Sequence, residues 1–120
     1  MARTYDNGFR KLIVWQEAKK LTLKVYELTK QFPREEQFHL VSQLRRAASS
    51  IMANIAEGSA MQTKAHRDSM YSNARGSTVE VDCFIDLSAA LQYVSAQERL
   101  DMQDHCARIS YLLTRLIGSK

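Results

Sequence analysis

The chain has 120 residues, 45% apolar and 25% charged, the balance of one globular domain large enough to bury its own core. Four Gly and one Pro are too few for the turns of an all-β fold, so long helices on short links are expected. The net charge of +4 permits a polyanionic partner without demanding one, and no run approaches the ~18 consecutive apolar residues of a membrane span.

In chain order, residues 1–11 form a polar arm containing the turn signal Asp6-Asn7-Gly8, and loose order is expected there. Met1-Ala2-Arg3-Thr4-Tyr5-Asp6 lacks the apolar run of a secretory leader, so a cytoplasmic location is expected. The first helix is predicted over residues 12–31, with Val14, Ala18, Leu21, Val25 and Leu28 as its apolar seam. Lys19, Lys20, Lys24 and Lys30 sit elsewhere around it and read as a solvated face.

The second helix is predicted over residues 33–57. Pro33 suits its first turn, Glu35 and Glu36 complement its dipole, and Gly58 is placed to cap its end. Val41, Leu44, Ala48, Ile51 and Ile55 make its apolar stripe. Beside that stripe runs a polar line, Arg46, Ser50, Asn54 and Glu57, at steps that keep it on one face. Together with Ser77 and Glu80 these residues are expected to form a polar network joining helices or subunits, with Arg46 paired to Glu57 or Glu80.

The third helix follows Thr63, a candidate N-cap, and runs to about residue 94. Its predicted seam is Met70, Ala74, Ser77, Val81, Phe84, Ser88 and Leu91, and the mid-helix pair Gly76-Ser77 suggests a close helix crossing or a bend. The fourth helix, 96–117, opens on the capping box Ser95-Ala96-Gln97-Glu98 and carries the seam Met102, Cys106, Ile109, Leu113 and Leu116. Four seamed helices on short links predict a single-domain, all-α, antiparallel up-down-up-down four-helix bundle over residues 1–120.

Catalytic and cofactor chemistry finds little footing. A di-iron bundle needs Glu-x-x-His on two helices. Glu36-Gln37-Phe38-His39 supplies one, while Met102 stands three residues before His105. There is no phosphate-binding glycine loop or nucleophile elbow. Cys83 and Cys106 fit no metal or redox spacing, and Cys106 reads as a buried free thiol. No enzyme activity, metal or cofactor is expected. Helix-turn-helix, zinc-finger and aromatic RNA-binding strand patterns are absent too. What remains is basic charge: Arg45, Lys64, Arg67 and Arg75 are candidate phosphate contacts, expected to gather where helix two ends and helix three begins.

The segments Leu12-Ile13-Val14-Trp15-Gln16, Val25-Tyr26, Phe32-Pro33, Gln43-Leu44-Arg45-Arg46-Ala47, Asn54-Ile55-Ala56-Glu57-Gly58 and Gly76-Ser77 with Glu80 resemble the four-helix-bundle proteins encoded by intervening sequences in bacterial 23S rRNA genes. Accessory proteins of diversity-generating retroelements are a related branch. The chain departs from the family pattern at His66-Arg67, often an acid-aromatic pair, and at Asn73, usually apolar. The resemblance implies a homopentameric ring with a central channel and a role in binding RNA or DNA, and it supplies no catalytic residues. Two functions stay open: a non-catalytic oligomer that binds nucleic acid without strict sequence preference, and a protein–protein adaptor whose charges are only solvated.

Overall fold

The computed structural model describes residues 8–119. Among them are four α-helices and no strand: α1 (Ile13–Thr29), α2 (Leu40–Ala60), α3 (Lys64–Ala90) and α4 (Ala96–Gly118). The helix backbones lie side by side around a cycle, α1 on α2, α2 on α3, α3 on α4 and α4 on α1. Cross-helix pairs fix the directions. Thr29 meets Arg45, and Thr22 meets Ala48. Arg46 meets Glu80, and Ser50 meets Ser77. Asp86 meets Arg99, and Asp82 meets Gln103. In each pair of helices the numbering rises on one as it falls on the other, so successive helices are antiparallel. Among the described residues, no helix is long and apolar enough to cross a membrane.

The helix-two stripe is the centre of the core. Val41, Leu44, Ala48, Ile51 and Ile55 are all buried, because steps of three and four keep them on one side of a 3.6-residue turn. Val14, Ala18, Leu21 and Val25 face them from α1, and Met102, Cys106, Ile109 and Leu113 from α4. Thr22 and Thr29 are buried as well. Each hydroxyl donates to the carbonyl four residues back, Ala18 at 2.8 Å and Val25 at 2.7 Å, which removes the cost of burying it. The seam of α3 differs from the expected one. Tyr71, Ala74, Ser77, Thr78, Val81, Ile85 and Ser88 are buried, and Leu91 is 44% exposed. The stripe runs one residue later than expected at Met70 and Phe84, where two phases of similar apolarity compete, and Leu91 lies beyond the end of α3.

The helix ends follow local chemistry. Thr63 accepts from the His66 N–H at 3.2 Å. Ser95 and Glu98 close a reciprocal capping box at 3.0 and 2.8 Å. Helix two starts later than predicted. Pro33 leads into a 3₁₀ turn, Arg34–Glu36, and α2 begins only at Leu40. This detour lets Phe32 pack on Tyr93 with ring centroids 5.2 Å apart and lets Glu36 accept from the Tyr93 hydroxyl at 2.8 Å. Gly58 is not a cap: α2 continues through it to Ala60. Residues 1–7 of the expected arm lie outside the described residues. Its last part is not loose, since Phe9–Lys11 forms a 3₁₀ turn and Phe9 meets Trp15 edge-on at 5.0 Å.

Candidate nucleic-acid interface

The four basic residues picked from sequence do not make one patch. Arg45 lies one turn into α2, whereas Lys64 begins α3 beyond the far end of that helix. At 1.5 Å per residue the length of α2 between them is about 22 Å. Arg45 faces α1, where Nε donates to Thr29 Oγ1 at 2.9 Å and Nη2 to the Tyr26 carbonyl at 3.3 Å. Its guanidinium stacks 4.5 Å over the Tyr26 ring. At the other end of the bundle, Lys64 pairs with Asp68 and donates to the Ile117 carbonyl at 3.1 Å. Arg67 closes the end of α2 by donating to the Met61 and Gln62 carbonyls at 3.3 and 3.2 Å. Arg75 donates to Thr114 Oγ1 on α4 at 3.2 Å. Three of the four therefore tie the far half of the bundle together, and Arg45 stands apart from them.

The predicted polar network is assembled in part. The Ser50 and Ser77 hydroxyls meet across α2 and α3 at 3.0 Å. Asn54 donates to the Ser50 carbonyl and hydroxyl at 2.9 and 3.1 Å. Arg46 hydrogen-bonds Gln43 and approaches Glu80 at 3.9 Å, with both charged side chains well exposed, a pair worth little in water. Glu57 is exposed and has no hydrogen bond or ion pair among the described residues. It cannot pair with Arg46, which sits three turns away on the same helix. Of the two expectations at Gly76, the close crossing is not present among the described residues, since a Cβ there would meet open space.

Around Arg45 and Arg46 the surface is concave. A depression of about 390 Å³ lies between α1 and α2, walled by Tyr26, Phe38, Ser42, Arg45 and Arg46 over a floor of Val41. Among the described residues no carboxylate lines it. The opposite character is found between α1 and α4, where Glu27, Glu98, Asp101 and Asp104 line a cavity of about 450 Å³ with Lys24. The bundle thus separates its charges by groove, and the α1–α2 groove is the one suited to an anion. Phe38, the most exposed large apolar side chain described, was not singled out in the sequence. Its only signal there is an aromatic outside the Val41–Ile55 stripe.

A second polar assembly joins α1 to α4. His105 is buried. Its Nδ1 lies 3.2 Å from Lys24 Nζ, and its Nε2 lies 3.0 Å from Glu17 Oε1. An ammonium can only donate, so Nδ1 accepts and the proton sits on Nε2, shared with Glu17. Burial, with Lys24 beside the ring, holds His105 below its ordinary pKa, against the opposing pull of Glu17. Burial raises the Glu17 carboxyl, but Lys20 and His105 outweigh it and the net shift is downward. Of the lysines read as a solvated face, Lys20 and Lys30 pair with Glu17 and Glu27, and Lys24 holds His105. Cys106 is buried, and burial pushes its thiol up to about 12. Among the described residues no group of three or more His, Cys, Asp or Glu gathers as a metal site.

No functionally curated protein matches the chain. A solved protein of unknown function from the S23 ribosomal protein family of Bacteroides thetaiotaomicron is similar over 89% of this chain and 100% of its own, with 21% identity and a TM-score of 0.82. At that identity the likeness speaks for the bundle alone. The sequence pattern of the 23S rRNA-intervening sequence protein family matches residues 10–115, from the turn before α1 almost to the end of α4, and on that span the chain belongs to the 23S rRNA-intervening sequence protein family.

Proposed function

We propose that the chain is a non-catalytic, self-assembling cytoplasmic scaffold that binds RNA or DNA through phosphate contacts. The observation that carries this is the α1–α2 groove, which two arginines line with no carboxylate of the described residues in its wall. Arg45 is held by Thr29 and Tyr26, so it presents its remaining donors without first being ordered. Arg46 is bound only by an exposed, long ion pair and Gln43, so it is free to change partners. Several copies in one assembly would add weak contacts into useful avidity.

The test is fluorescence anisotropy of a labelled RNA across salt concentrations, with Arg46→Glu as the first variant because the side chain is exposed. Binding is expected at low salt, with the logarithm of affinity falling linearly with that of salt. Arg46→Glu should weaken it and reduce the slope by about 1. Absence of binding at low salt would leave the adaptor reading, whose partner is a protein.

Self-assembly is expected to use the outer face of α3. Gly76, Val79, Cys83 and Leu87 follow each other at steps of three and four, and all are exposed in the single chain. A glycine in open space on an apolar line suits close approach by a second copy, and the ring of five implied by the family resemblance is the proposed arrangement. Val79→Lys is expected to shift the protein to smaller species in size-exclusion chromatography with light scattering, without loss of helical signal. An unchanged mass would move the contact elsewhere, with Glu57 the next residue to vary.

A further inference from the structure

We propose that the α1–α2 groove takes single-stranded nucleic acid, with a base stacked on Phe38 and the neighbouring phosphates on Arg45 and Arg46. This rests on the nucleic-acid reading above and adds the strand state and the contact that selects it. Phe38 is 86% exposed in the turn just before α2. A lone exposed apolar side chain needs no explanation, but this one rims a concavity that an aromatic and two arginines also line. Tyr26 already carries the Arg45 guanidinium on its ring, so Phe38 is the aromatic face left open.

An aromatic beside fixed cations is the chemistry of single-strand binding. Every base has a face to stack, and the guanidiniums follow the backbone. A duplex keeps its bases stacked on one another and offers a phenyl ring none of them. The groove, at about 390 Å³, lies within the ordinary range for small-ligand pockets of ~300–1,000 Å³, enough for one nucleotide rather than a helix. The nearest competing acid is Glu80, 3.9 Å from Arg46, an exposed pair that a phosphate can replace. An acidic peptide would satisfy the arginines but would give no dependence on a base.

The experiment uses the full chain and a short single-stranded RNA with a central 2-aminopurine, read by anisotropy and by fluorescence quenching at low salt. The same strand annealed to its complement, an abasic strand of equal length and the DNA strand of the same sequence are run beside it. The single strand is expected to bind about tenfold or more tighter than the abasic strand, with quenching that reports stacking. Phe38→Ala should lose about tenfold in affinity together with the quenching, and Phe38→Trp should restore both. Binding of either the RNA or the DNA strand supports the proposal, and their ratio says which is preferred. If Phe38→Ala binds as the parent does while Arg46→Glu and salt still weaken binding, nucleic-acid binding stands and the stacking site is overturned. If the parent binds no strand at low salt, both readings fall. A change of assembly size in Phe38→Ala would place the ring in a contact between copies and overturn the site.

Discussion

Gly58→Val is expected to be among the most destabilising single changes in the chain, and Gly58→Ala to destabilise it as well. A Cβ at position 58 would stand 2.7 Å from Tyr71 Cε1, 2.9 Å from Tyr71 Cδ1 and 3.1 Å from Met70 Cβ, where carbon atoms normally rest ~3.5–4.0 Å apart. Replacing a mid-helix glycine by alanine ordinarily gains about 1 kcal/mol. That gain is opposed by overpacking, which costs about 1–3 kcal/mol. Overpacking should win here because neither neighbour yields easily. Tyr71 is a ring only 6% exposed, and Met70 Cβ is tied to the α3 backbone. The short connection from Ala60 to Lys64 also keeps the two helices from parting at this end.

The expected net loss is up to about 2 kcal/mol for Gly58→Ala and about 3 kcal/mol or more for Gly58→Val, whose branches crowd the same ring. Thermal melts should read this as a fall of several degrees for alanine and more for valine. Tyr71→Leu removes the ring edge that the methyl strikes, so Gly58→Ala should cost less in that background than alone, a coupling measured by a double-mutant cycle. Equal costs in both backgrounds would show that the ring does not set the helix spacing.

Gly58 also shows where sequence was ambiguous. A glycine after an amphipathic run reads as a helix cap, and a glycine against a ring reads the same way until the ring is located. The features that were legible are local or strictly periodic. The stripe from Val41 to Ile55 needs only its own spacing, and Thr63 and the Ser95–Glu98 box need only four residues each. The α3 seam was harder, because Met70, Ser77 and Phe84 repeat as regularly as Tyr71, Thr78 and Ile85, and only the neighbouring helices choose between them. The basic cluster failed for a geometric reason. Arg45 and Lys64 are only 19 positions apart in sequence, but most of α2 lies between them. Lys24 and His105 meet across 81 positions, and no spacing in a single sequence announces such a pair.

That pair gives the second large effect. Stability is expected to be level above about pH 6.5 and to decline as the pH falls below it, with a further decline in the acid range. His105 lies below its ordinary value of 6.5 in the folded chain. The unfolded chain therefore takes up a proton that the folded chain refuses, and its contribution is lost between 6.5 and the lower folded value. The geometry gives the reason. A doubly protonated ring would turn an Nδ1–H toward the Lys24 ammonium, replacing a hydrogen bond at 3.2 Å by repulsion. Lys20 and Arg108 also draw on Glu17, at 3.5 Å each, so the carboxylate that faces the ring is shared with other cations. Glu17 lies below its ordinary 4.5 when folded, so its own contribution persists above 4.5 and disappears as the pH falls further. In a series of thermal melts, His105→Gln should remove the upper decline and keep the lower one, since an amide can accept from Lys24 and donate to Glu17 without titrating. Glu17→Ala should cost about 1–3 kcal/mol near neutral pH, because it leaves the buried His105 Nε2–H without an acceptor. If His105→Gln still loses stability between pH 6.5 and 5, the α1–α4 seam is not the origin of the effect.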